Sequence, residues 1–83
     1  MELSLVAIRS KFDEVLATVV TRESASDWAR SLREASDRNE LTILPLEEKR
    51  VIWKALIFLE GVDMKDAPDS YLHNKDDIIR ERP

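Results

Sequence analysis

Apolar residues recur along this chain at helical spacing in three long stretches and one short one. Leu5, Ile8, Phe12, Val15, Leu16 and Val19 step by threes and fours, which predicts an amphipathic helix from about Leu3 to Val20. The β-branched cluster Thr18-Val19-Val20-Thr21 lowers helix propensity and should end it. Thr21 is a natural N-cap for a second helix, with Glu23 in the first turn where the helix dipole favours a carboxylate. Ala25, Trp28, Ala29, Leu32 and Ala35 then form its narrow apolar stripe. The connector Glu40 to Pro45 holds Leu41, Ile43 and Leu44, so it should lie extended across the core. A short β-bridge could form there, but a sheet needs further strands and none is visible.

The third stretch, V-I-W-K-A-L-I-F-L at Val51 to Leu59, is interrupted only by Lys54. A helix this apolar should be buried on most sides and should stand at the centre of the fold. Gly61, the single glycine, follows its last periodic residues. In a left-handed conformation it would close the helix with Val62 against Ile57, the contact that accompanies a Schellman ending, and a side chain there would then cost about 1 kcal/mol. Residues 62–73 read as an acidic connector in which Pro68 blocks a continuous helix. A short last helix should start from Asn74, with Asp76 and Asp77 in its first turn and Ile78 and Ile79 facing inward. The pattern predicts one all-α domain over residues 1–83, a small bundle of three main helices plus a short C-terminal helix, with the third helix central.

Composition narrows the chemistry. With 83 residues there is room for one modest core. The absence of cysteine excludes disulfides, thiolate metal sites and cysteine nucleophiles, and fits a reducing compartment. Glu2 stands where a signal peptide carries positive charge, and no apolar run approaches the roughly 20 residues of a membrane span. The expectation is a cytoplasmic protein that does not enter membranes.

No catalytic frame emerges. His73 is the only histidine and stands with no nucleophile in a recognisable arrangement, so the chain reads as a non-enzyme without cofactors. Asp63, Asp66 and Asp69 recur every third residue, but the spacing is not that of a calcium loop and the glycine lies before them, so no metal is expected. Trp28 and Trp53 read as core residues, since base stacking would need basic neighbours as well as exposure. Arg22, Arg30 and Arg33 are interspersed with Glu23, Asp27 and Glu34, as on a salt-bridged helix face.

The formal net charge is −4, and residues 60–77 alone carry six acids against Lys65 and Lys75. Such a surface repels phosphate backbones and attracts basic proteins, which argues for a protein partner and against nucleic acid. Surplus apolar surface on the first and third helices gives the alternative, a structural or regulatory homo-oligomer, with a homodimer as its simplest form.

Two segments, T-R-E-S-A-S-D-W-A at Thr21 to Ala29 and L-E-G-V-D-M-K-D-A-P-D-S-Y-L-H-N-K-D-D-I at Leu59 to Ile78, resemble a family of short uncharacterised bacterial proteins. The resemblance rests on Arg22, Glu23, Trp28, Ala29, Gly61, Asp63, Pro68, Tyr71, Leu72, His73, Asp77 and Ile78. Such proteins are similar to immunity proteins that accompany bacterial toxins. With the acidic 60–77 region, the resemblance implies a protein-binding role in which Asp63, Asp66, Asp69, Tyr71, His73 and Asp76 meet a basic toxin domain.

Overall fold

A computed structural model describes residues 1–83. In chain order the elements are β1 (Glu2–Ser4), α1 (Leu5–Leu16), α2 (Arg22–Asp37), β2 (Thr42–Leu44), a 3₁₀ turn (Leu46–Glu48), α3 (Lys49–Glu60), β3 (Lys65–Ala67), β4 (Ser70–Tyr71) and α4 (Lys75–Glu81). The fold is largely helical, but the all-α expectation is corrected by two small sheets.

The first sheet exists because the chain before α1 is extended. Ser4 caps α1 with its hydroxyl accepting from the Ala7 amide at 3.1 Å, and its own backbone is in the β region. Leu3 therefore lies outside the helix. It sits opposite Ile43 in a parallel pairing of β1 with β2, and both side chains are buried. The second sheet is an antiparallel hairpin of β3 and β4 within the stretch expected as an irregular connector, with Pro68 and Asp69 at its turn.

One core joins the helices. Ile8, Phe12 and Val15 of α1, Ala25, Ala29 and Leu32 of α2, and Ile52, Ala55, Leu56 and Leu59 of α3 interlock with Leu3, Ile43, Val62 and Ile78. The alanines of α2 let α3 come close, and the buried Ser26 hydroxyl bridges the two by donating to the Glu60 carbonyl at 2.6 Å. In α4, Ile78 is buried as expected, whereas Ile79 is 57% exposed.

The central position of α3 holds, but its burial on most sides does not. Its inner side is buried, while Arg50, Lys54, Val51 and Ile57 face solvent. Val51 and Ile57 are 45% and 44% exposed. One side of the most apolar helix is therefore open.

Helix ends also depart from expectation. Gly61 has φ −101°, which any residue can adopt, and α3 finishes with tight bonds from the Gly61 amide to Phe58 and from Val62 to Leu59. Schellman pairs of bonds occur instead after α1, Val19 to Glu14 and Thr18 to Val15, and after α2, Glu40 to Ala35 and Asn39 to Ser36. The left-handed residues are accordingly Thr18, with φ 56°, and Asn39, with φ 58°. Asparagine tolerates that conformation, but a β-branched threonine is strained in it by about 1–3 kcal/mol.

Thr18→Gly should therefore stabilise the protein by about 1 kcal/mol after the entropy of the unfolded glycine is subtracted. Gly61→Ala should be neutral or slightly stabilising, since its Cβ would meet only the flexible Met64 sulfur at 3.2 Å. Urea midpoints of the two variants check both statements. A loss of about 1 kcal/mol in Gly61→Ala would restore the left-handed ending.

Candidate functional site

The acidic residues expected to meet a partner stand on different elements after α3. Asp66, Asp69 and Asp76 are exposed on β3, the hairpin turn and the first turn of α4, while Asp63 is half-buried in the turn after α3. No group of three or more histidine and carboxylate side chains is disposed to hold a metal.

Tyr71 and His73 are engaged within the chain. The Tyr71 hydroxyl donates to Glu23 Oε1 at 2.7 Å, and the Arg22 guanidinium and Lys65 ammonium lie 4.4 and 5.3 Å from the centre of its ring. The hydrogen bond raises the Tyr71 pKa and lowers that of Glu23. Arg22 also donates to the carbonyls of His73 and Val62. The His73 ring packs on Phe58 with centroids 4.8 Å apart, and Phe58 stacks on Phe12 at 5.9 Å. At the start of α4, Asn74 and Asp77 cap each other's amides, and the bond from the Asn74 amide holds the Asp77 carboxyl below its ordinary pKa. Four of the family-like residues named above, Arg22, Glu23, Tyr71 and His73, thus tie the hairpin region to α2 and α3.

Cations distribute differently. Arg30 pairs with Asp27, Arg33 with Asp37 and Glu60, Arg38 with Glu40, Arg80 with Asp77, Arg82 with Asp13, and Lys11 with Glu14. Arg33 spans from α2 to α3 with Nε 2.7 Å from Glu60, which raises its already high pKa. The bond from Arg82 depresses the Asp13 carboxyl. Arg9 donates to the Pro83 carbonyl at 2.7 Å. Lys49, Arg50 and Lys54 have no ion pair, side-chain hydrogen bond or aromatic partner, and all three are exposed. They occupy the first half of α3, and Lys75 is the other basic residue left free.

Their surroundings strengthen the cluster. Arg50 and Lys54 are four residues apart and share one side of the helix. Lys54 also lines a shallow cleft with Val51, Arg80 and Arg82. Lys49 lines a larger cleft on the other flank, of about 480 Å³, between α2, β2, the 3₁₀ turn and α3. Glu47 and Glu48 border the cluster at the N-terminal end of the helix. A signal for these residues stood in the sequence: from Lys49 to Leu59 there is no acid, and only Arg50 has a carboxylate, Glu47, at helical pairing distance.

The fold thus presents an open cationic helix side on a small, mostly helical scaffold. The chain belongs to the family described as YxzC DNA-binding protein, whose profile matches residues 2–80. It is 38% identical over 77 residues to the "Uncharacterized protein YxzC" of Bacillus subtilis (strain 168), covering 93% of this chain and 57% of that protein. The chain therefore spans little more than half the length of that relative. No solved structure matches. No helix is long and apolar enough to cross a membrane.

Family membership corrects the functional expectation. A DNA-binding family conflicts with the immunity-type protein-binding reading and with the exclusion of nucleic acid. The exclusion weighed the net charge and the acidic 60–77 region and left the cations of α3 out of account. Screening at physiological salt acts over about 8 Å, so a ligand responds to the face it meets.

Proposed function

We propose that the chain binds DNA through the open side of α3, without catalysing a reaction. One observation carries the reading: Lys49, Arg50 and Lys54 are all exposed in the first half of α3, spread across its open side, with no ion pair or side-chain hydrogen bond inside the chain. Ammonium and guanidinium groups so placed neutralise phosphates and release the counterions condensed on them. The family description supports this ligand. The net charge of −4 repels DNA from the remaining surface, so binding is oriented as well as weak. A DNA ligand is consistent with a cytoplasmic location.

Fluorescence anisotropy with labelled DNA over a salt series tests the proposal. Three phosphate contacts predict that log K falls with log salt with a slope of about −2 to −3. Absence of binding at the lowest salt, or binding insensitive to salt, would overturn it.

A further inference from the structure

The larger cleft beside the cationic side has the character of a base-stacking site. It is lined by Leu41, Leu46 and Trp53, with Lys49 and the hydroxyl-bearing Ser36 and Thr42. Trp53 is only partly buried, and it follows Lys49 by one helical turn, so indole and ammonium share one side of α3. Trp53 is thus partly open to the cleft, with one cation, Lys49, lining it beside the indole. Trp28 differs: Lys11 lies 5.0 Å from its ring centre and is itself bound to Glu14.

We infer that this cleft accepts an unpaired nucleobase against Trp53 while Lys49, Arg50 and Lys54 hold the adjoining phosphates, so that the ligand is single-stranded DNA. The inference rests on the DNA-binding reading above. In a duplex both faces of each base are covered by stacking and its edges are paired, so a base reaches such a cleft only from a single strand or after extrusion. Every base offers a π face to an indole, so the site is tolerant of sequence. Ser36 and Thr42 line the same cleft and carry hydroxyls that can donate to or accept from a base edge.

The test compares a thymidine oligonucleotide of about 15 nucleotides with a duplex of the same length. Trp28→Phe leaves Trp53 as the single indole reporter. The expected result is tighter binding of the single strand with quenching of Trp53 emission. Trp53→Leu should weaken single-strand binding about 5- to 100-fold while changing duplex binding little. The quenching is read in protein that retains Trp53, so it decides the matter even if Trp53→Leu folds poorly. Duplex bound as well as single strand, or unchanged Trp53 emission in the single-strand complex, would overturn the base site and leave the DNA-binding reading standing. Failure of both DNAs to bind would overturn both.

Discussion

Replacing Lys49, Arg50 and Lys54 together by glutamate weakens DNA binding by more than about 100-fold near 0.15 M salt. Each lost phosphate contact forfeits its counterion release, which alone accounts for roughly five-fold under those conditions, and the introduced carboxylates add repulsion. The change leaves the fold intact, because all three side chains are exposed and bound to nothing else in the chain. Anisotropy titrations supply the affinity, and thermal melts establish that the variant is folded. A matched control reverses Arg30, Arg38 and Lys75, which gives the same formal charge on other faces. If the control loses as much affinity as the α3 variant, net charge governs binding and the α3 interface is wrong. Arg50→Ala alone should flatten the salt slope by about 1.

That comparison bears on what the sequence can disclose. Local chemistry was legible where a residue acts on its near neighbours. Thr21 caps α2 by accepting from the Ser24 amide at 3.0 Å, and Asn74 starts α4 with Asp77 completing the reciprocal cap. The stripe of α2 likewise gave Ala25, Ala29, Leu32 and Ala35, which are buried.

Long-range pairing was not legible. Leu3 fits a helical period as well as a strand, and only the Ser4 cap and the distant Ile43 decide between them. Nor does the single glycine mark a left-handed helix end, because Thr18 and Asn39 take that conformation. The apolar run Val51–Leu59 was right about the core and wrong about extent. Trp53 and Phe58 are only partly buried, and Val51 and Ile57 are exposed, since α1 and α2 cover α3 from one side. The same open side carries the free cations. A reading that buried this helix on most sides had no reason to ask what Lys49, Arg50 and Lys54 do.

Phe12→Ala should cost about 3–5 kcal/mol. Phe12 is 0% exposed, and its ring stacks on Phe58, which in turn supports His73 at the end of the hairpin. Truncation leaves a cavity between α1 and α3 that neighbouring helices can close only in part. At roughly 4–8 °C per kcal/mol for a chain of this size, the melting temperature falls by at least about 12 °C. In a small domain this consumes much of the total stability. Urea titration reads the loss, and a value under about 1 kcal/mol would show that Phe12 does not anchor the core. Hydrogen exchange adds a spatial check: amides from Tyr71 to Asn74 should lose protection before those of α2, because the hairpin reaches the core through Phe58. The consequence for DNA differs in kind from that of charge reversal. Phe12→Ala keeps every cation but frees α3 from the inner contacts that hold the helix bearing Lys49, Arg50 and Lys54 in place. Binding should then fall in proportion to the unfolded fraction and recover on cooling, whereas the charge-reversed protein fails to bind while fully folded.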